Sequence, residues 1–287
     1  MTRDVDSLTS ATLKNLRERW WDAAFTAFLK DTLQPKAGQR ILDVGCGIGT
    51  AEVQLSRLRL SQVQLVGVDL LVSHVTQARG AGQSHNIRAL FSAADACALP
   101  FSDGAFDSAF CIAVLQHIGD VPKAVRELAR VTRPEGRIVA VEPDNAGRYF
   151  YSSLDSGMRA YESAGLFFSG MARTRGDSTD PSVGPKLPTL FAQNGIDPLS
   201  VHLFPVTRAQ LGAPTEAMWV ARRGGVQAEI EKAPDESIRR LGQDYLKVLE
   251  RYATEASTAG SAFVEIQNTM LFATVGQRAE EEAPKKG

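Results

Sequence analysis

The sequence predicts an α/β fold in which a mostly parallel, Rossmann-like sheet is covered by helices on both faces. Short apolar runs alternate with segments of helical periodicity over residues 40–142. The first run reads as a strand buried on both sides, and it ends in the glycine-rich turn Asp43-Val44-Gly45-Cys46-Gly47-Ile48-Gly49, which leads into a helix. Strands that alternate with helices at this spacing pair in parallel through right-handed crossovers.

Each element has its own signal. Over residues 10–33, Leu13, Leu16, Trp20, Ala24, Ala27 and Phe28 recur at helical spacing, with Lys14, Arg17 and Glu18 on other faces. An amphipathic helix is therefore expected in a leading segment, residues 1–36, ended by Pro35, Ala37 and Gly38. Strands follow at 40–44, 64–69, 87–93, 106–112 and 137–142, the last entered through Pro134-Glu135-Gly136. Helices are expected at 51–60, 73–80 and 121–131, so that residues 37–147 form the core.

Past Glu142 the rhythm is lost. Residues 144–180 are rich in Gly, Ser, Tyr, Phe and Arg without a clear strand, which predicts an insertion over 148–182. The core resumes over 183–206 with a helix at 187–193, stopped by Asn194-Gly195, and a strand at 199–204. Ile230, Ile238, Leu241, Tyr245, Leu249 and Tyr252 give residues 207–260 helical periodicity, hence a second insertion. A last core strand falls within 261–278, and the charged tail 279–287 is expected to be disordered.

Composition narrows the function. Of 287 residues 44% are hydrophobic and 23% charged, ordinary values for one large domain with embellishments. With 32 Lys and Arg against 33 Asp and Glu, a net charge of -1 supplies no field for a polyanion, so nucleic acid and anionic membranes are not expected partners. No run approaches a membrane span, and Arg17, Glu18 and Arg19 interrupt the only apolar stretch near the start, so a cytoplasmic protein is expected. Cys46, Cys97 and Cys111 are too widely spaced for a metal or redox motif and read as reduced, buried thiols. No metal site is expected.

Glycines in the turn keep side chains out of a ligand's way and let the backbone come close. A dinucleotide fingerprint would read G-x-G-x-x-G, but here the third glycine comes one residue early. Asp43 sharpens the contrast, because a carboxylate before the turn repels a pyrophosphate and suits the ammonium of an amino-acid moiety. Asp69 closes the second strand about 20 residues on, where an acidic residue commonly receives ribose hydroxyls. Together the two carboxylates suggest one bound nucleoside, although either alone suits a helix cap or a tight structural turn.

An ordered set of motifs now resembles the class I S-adenosylmethionine-dependent methyltransferases, in particular the ubiquinone- and menaquinone-biosynthesis-like group. Residues 41–49 look like the family's cofactor loop and residues 66–69 like its acidic second strand. Ala94-Asp95-Ala96 with Leu99-Pro100-Phe101 resembles its adenine-side loop. Phe106-Asp107, Leu115-Gln116-His117-Ile118 and Arg133-Pro134-Glu135-Gly136-Arg137 match its fourth strand, the turn after it and the lead into the fifth. The resemblance spans residues 37–143 and implies a seven-stranded sheet with an antiparallel last strand.

It also implies S-adenosylmethionine as cofactor and S-adenosylhomocysteine as product. Asp43 would hold the methionine ammonium, with Gly45 and Gly47 packed under the methionine and ribose and Cys46 and Ile112 completing the cradle. Asp69 would bind the ribose diol and Leu70 press on the adenine. Asp95 would accept from the adenine amino group beside the Ala96 amide. A bulky segment between the last two strands departs from the family's short turn there.

The expected reaction is an in-line methyl displacement onto a small-molecule acceptor, enclosed by a lid made of the two insertions and the leading helix. Such chemistry needs alignment first and a base only if the acceptor must lose a proton. His117, just past the fourth strand, is the candidate base against a structural role in the turn, with Glu142 and Asp144 as weaker alternatives. Tyr149 and Tyr151 with Arg173 are candidate acceptor contacts, as are Phe167, Phe168 and Met171, against a plain packing role. A non-catalytic S-adenosylmethionine-binding or assembly protein remains the alternative, and homodimer formation is left open. A nicotinamide-dependent oxidoreductase is disfavoured by the glycine spacing and Asp43.

Overall fold

A computed structural model describes residues 20–57, 63–174 and 179–280, apart from the side chains of 173 and 174. The strands β1 (Arg40–Val44), β2 (Gln64–Asp69), β3 (Ala89–Ala93), β4 (Phe106–Ile112), β5 (Thr132–Ser152), β6 (Ile196–Leu211) and β7 (Val264–Arg278) form one seven-stranded sheet in the order β3-β2-β1-β4-β5-β7-β6. The first five pair in parallel, with Asp43 level with Gly67 on β2 and Phe110 on β4, while β7 is antiparallel. The helices are α1 (Ala23–Leu33), α2 (Thr50–Ser56), α3 (Val72–Ser84), α4 (Val121–Val131), α5 (Asp155–Thr174), α6 (Leu187–Gln193), α7 (Glu216–Glu231) and α8 (Glu236–Ala259).

The chain divides into two compact units. Residues 1–146, 179–206 and 270–287 make an α/β unit, and residues 147–178 and 207–269 a mainly helical one. In the α/β unit, successive strand residues feed opposite layers. Leu42, Val66, Ala109, Cys111, Ile138 and Ala140 pack with α4 and α6, whereas Ile41, Leu65, Phe110, Ile112, Val139 and Val141 pack with α1 and α2. A period of two with both faces buried explains why these strands read as continuous apolar runs. The helical unit has its own core, where Trp219, Tyr252 and Phe263 stack in turn at 5.4 and 5.6 Å between centroids. Gly242 lets α8 approach its neighbours closely, since a Cβ there would lie 2.4 Å from Ile230 and 2.9 Å from Phe167.

Several expectations need correction. The leading helix begins at Ala23, not at residue 10, because the Asp22 carboxylate caps it by accepting from Phe25 N–H at 2.8 Å. Trp20 therefore precedes the helix, and the earlier part of that expectation lies outside the described residues. The third helix runs on to Ser84, and the strand expected at 87–93 begins at Ala89. Residues 144–180 are not strandless. The polar turn-formers Asp144, Asn145 and Gly147 hide the run of β5 to Ser152, and three glycines hide the 20-residue α5. Residues 207–211 continue β6 before the helices of the second insertion. Residues 133–136 do loop out of the β4–β5 register, as the Pro134-Glu135-Gly136 turn requires. Most of the tail, residues 281–287, lies outside the described residues.

Candidate active site

At the carboxyl end of β1 the backbone turns back on three left-handed glycines, Gly45 (φ 77°), Gly47 (φ 55°) and Gly49 (φ 82°). The Gly45 and Cys46 amides both donate to Val68 O, at 2.7 and 2.9 Å, which ties the loop to the end of β2. Gly45 is required twice over. Its φ disfavours any side chain, and a Cβ there would stand 2.3 Å from Val114 Cγ2 in the turn that follows β4.

That second turn is held by a residue whose role the sequence did not disclose. Glu142, fully buried on β5, accepts from the Val114 and Leu115 amides through Oε1 at 2.7 and 2.8 Å and from Gln116 through Oε2 at 3.4 Å. Ala113 just before them sits at φ 54°, a strained conformation for a residue with a Cβ, which the Glu142 clasp compensates. Glu142 therefore builds the turn and is withdrawn as a candidate base. Asp144 accepts from the Ala146 amide at 3.1 Å in a local turn. His117 ends this turn, exposed, with its amide donating to Val114 O at 2.9 Å.

Asp43 is buried beneath the loop. A narrow pocket brings it together with Gly45, Cys46 and Ile112, four of the residues expected to hold the cofactor, and adds Trp21, Thr50 and Ala51. Trp21, edge-on to Phe25 at 5.2 Å, was hidden in the expected leading helix. The capping signal of Asp22 is what could have exposed it. An aromatic wall beside a carboxylate favours a cation and opposes a pyrophosphate. Gly45, which keeps its own side chain out of this space, and Asp43 thus fit an amino-acid nucleoside bearing positive charge.

Asp69 lies outside that pocket lining but is bonded to the same loop, its Oδ2 accepting from the Gly47 amide at 2.9 Å. Oδ1 accepts from the Leu71 amide at 3.0 Å and faces His74 Nδ1 at 3.3 Å. Burial alone would push this carboxyl up, but the bonds from His74, Leu71 and Gly47 hold it below the ordinary carboxylate range. Leu70 is exposed beside it. Asp95 Oδ1 accepts from the Cys97 amide at 2.8 Å in a short bridge to Ala98, which folds the loop that carries Ala96. Burial, with the Glu142 and Asp43 charges, pushes the Cys111 thiol well up, consistent with an inert core residue.

The acceptor candidates fall in the helical unit. Tyr149 and Tyr151 point to one face of β5 and are exposed, while Phe150 between them is buried and stacks on Tyr161 at 4.6 Å. Phe167 and Met171 are core residues, whereas Phe168 is partly exposed. The Arg173 side chain and Arg175 lie outside the described atoms. Among the described residues no helix is long and apolar enough to cross a membrane, and no cluster of three His, Cys, Asp or Glu could hold a metal ion.

Part of the chain is similar to known proteins. Residues 42–140 match the family described as Methyltransferase domain. The O-methyltransferase cnsE of Penicillium expansum is 38% identical over 117 residues, which cover 38% of this chain and 40% of that protein. A demethylmenaquinone methyltransferase of Thermus thermophilus is 37% identical over 112 residues, covering 39% of this chain and 50% of its own. The chain thus spans about half or less of the curated relatives it matches. Among solved structures, the [4+2]-cyclase SpnF superposes with a TM-score of 0.51 at 18% identity, over 90% of this chain and 81% of that one, a likeness of fold alone.

Proposed function

We propose that this chain, whose residues 42–140 match the family described as Methyltransferase domain, is a class I S-adenosylmethionine-dependent methyltransferase acting on a small-molecule acceptor. The observation that carries the proposal is the pocket shared by Asp43, Gly45 and Trp21, an anionic and aromatic recess beside a glycine-rich loop. S-adenosylmethionine supplies an activated methyl group, open to in-line displacement. The chain's own residues hold, orient and shield. Asp43 receives the amino-acid ammonium, Asp69 the ribose, and Leu70 with the Asp95-Ala96 loop the adenine. Cys46, Gly47 and Ile112 line the space between.

His117 is proposed to accept the proton that an acceptor hydroxyl, thiol or ammonium gives up as its bond to the methyl carbon forms. Exposed on the turn after β4, it stands at the edge where ligands collect in open sheets. Acceptor choice is assigned to the helical unit, with Tyr149, Tyr151 and Arg173 as its proposed contacts. The name of one relative, a demethylmenaquinone methyltransferase, favours a small organic acceptor. A cytoplasmic location accords with the balanced charge.

Titration calorimetry with S-adenosylmethionine and S-adenosylhomocysteine tests the donor half, and absence of binding to folded protein sinks the proposal. Release of S-adenosylhomocysteine across an acceptor panel tests the rest. The alternative is a non-catalytic S-adenosylmethionine-binding or assembly protein, since a fold and a cofactor site do not by themselves entail chemistry. Tight cofactor binding without turnover on any small acceptor would favour it.

A further inference from the structure

His74 is a buried imidazole in contact with Asp69. It sits in the first turn of α3, five residues past Asp69, and only 9% of its surface is exposed. A helix in that position needs nothing polar at its third residue, where an apolar side chain would complete the layer of Val75 and Ala78. Instead an imidazole is buried with its Nδ1 at 3.3 Å from Asp69 Oδ1. A carboxylate only accepts, so Nδ1 carries the proton and donates.

Asp69 is consequently held from three directions. The Gly47 amide fixes Oδ2, the Leu71 amide fixes Oδ1 from its own chain, and His74 fixes Oδ1 from the helix. The two backbone donors hold one oxygen each, about a χ2 torsion that is otherwise broad. A third donor, on a rigid helix, sets the plane of the group and hence where its remaining lone pairs point. A carboxylate offers about four acceptor directions, so the three bonds leave room for a hydroxyl at a defined angle.

We infer that His74 is a positioning residue for the cofactor's ribose, orienting the Asp69 carboxylate toward a hydroxyl of the ribose diol. The inference rests on the methyltransferase reading above, which supplies the ribose. It is specific to the diol: His74 contributes to affinity only through hydroxyls that Asp69 receives.

The test compares S-adenosylhomocysteine with its 2′,3′-dideoxy analogue by titration calorimetry on the full chain. His74→Met keeps the volume without a donor, and His74→Asn returns an N–H close to the place of Nδ1. For S-adenosylhomocysteine, His74→Met is expected to raise Kd about tenfold and His74→Asn to recover most of the loss, the scale of one hydrogen bond to a charged group. For the dideoxy analogue, all three proteins should bind alike. An equal loss for both ligands would mean that the imidazole only packs the helix, and would overturn the inference. So would unchanged Kd for S-adenosylhomocysteine in His74→Met. If His74→Met does not fold, the comparison of His74→Asn with wild type on the two ligands decides it, since a packing role makes any loss ligand-independent. Failure of the wild-type protein to bind S-adenosylhomocysteine at all overturns the methyltransferase reading, whereas wild-type binding without diol dependence of the His74 effect overturns this inference alone.

Discussion

The α/β unit and the helical unit use glycine for opposite ends. In the α/β unit Gly45 sits at φ 77° with Val114 against it, so the absence of a Cβ shapes a space for a ligand. In the helical unit Gly242 lies in an ordinary helix, and the absence of its Cβ shapes only the fit of Ile230 and Phe167. The first glycine meets a turn at a loop, the second the side chains of a helical core. A side-chain methyl added at the two places should therefore damage different properties.

Gly45→Ala is expected to have the largest effect. Left-handed φ costs about 1–2 kcal/mol for a residue with a Cβ, and the clash with Val114 forces the loop or the turn to move. Affinity for S-adenosylhomocysteine should fall more than about 100-fold, since a displacement near 1 Å at a preorganised site is costly. Gly242→Ala should instead lower the unfolding free energy by about 1–3 kcal/mol, the usual cost of overpacking. Its Kd for S-adenosylhomocysteine should stay within twofold of wild type, about 0.4 kcal/mol. Chemical denaturation and calorimetry on the two variants check both halves, and a Gly242→Ala protein of normal stability but poor cofactor affinity would break the contrast.

Within the α/β unit the comparison can be sharpened between the two sides of the pocket. Asp43→Asn removes a charge that both S-adenosylmethionine and S-adenosylhomocysteine should feel through their ammonium groups, so both affinities are expected to drop about tenfold or more. Trp21→Ala removes an aromatic face, and a cation–π contribution of about 0.5–2 kcal/mol predicts a greater loss for the sulfonium cofactor than for its thioether product. Equal losses in both ligands for Trp21→Ala would reduce it to an apolar wall.

The same division explains what could be read beforehand. Strands such as Phe106–Ile112 and the helix Val121–Val131 were legible to the residue, because burial on two faces or on one stripe leaves a period in the sequence. The turn at Gly45 and Gly47 was legible because left-handed backbone admits few residue types, and Asp43 and Asp69 stood out as carboxylates at the ends of apolar strands. Glu142 was misread because a buried carboxylate that clasps three amides looks, in sequence, like any acid after a strand. α5 was missed because its buried face includes Ser156, Gly157, Ala160 and Gly170, which carry little hydrophobic signal. Trp21 is hidden by the longer helix expected across it, and the contact of His74 with Asp69 five residues before it belongs to no sequence motif.

The helical unit offers a smaller test. Tyr252 donates to Glu265 Oε2 at 2.8 Å, shares a hydrogen bond with Ser152 at 3.0 Å, and lies under the Arg222 guanidinium, itself 3.1 Å from Glu265. Tyr252→Phe keeps the ring and removes the hydroxyl, leaving Glu265 with Arg222. A loss of about 1 kcal/mol in unfolding free energy is expected, seen as a lower denaturation midpoint with cofactor affinity untouched. Cofactor affinity that falls with it would mean the two units are not separable in this way.

The smallest expected effect concerns acid. The Asp69 carboxyl is held below its ordinary value of 3.8 and the Glu255 carboxyl below 4.5, the latter through Ser156 and Arg251. A carboxyl lowered in the folded state binds its proton first in the unfolded chain. Its stabilisation is therefore complete above the ordinary value and disappears as pH falls through the folded one. Asp69→Asn should flatten the acid limb of the stability profile below about pH 4, where wild type loses this contribution. Glu255→Gln should flatten it less, because its partner Arg251 is exposed and water screens the pair. Denaturation midpoints between pH 3 and pH 7 in low salt read both. Saturating S-adenosylhomocysteine should deepen the Asp69 contribution and leave that of Glu255 as it was, since only the first carboxylate is placed to gain a ligand hydroxyl. A ligand-dependent change at Glu255 equal to that at Asp69 would dissolve the distinction between a unit that holds the cofactor and one that does not.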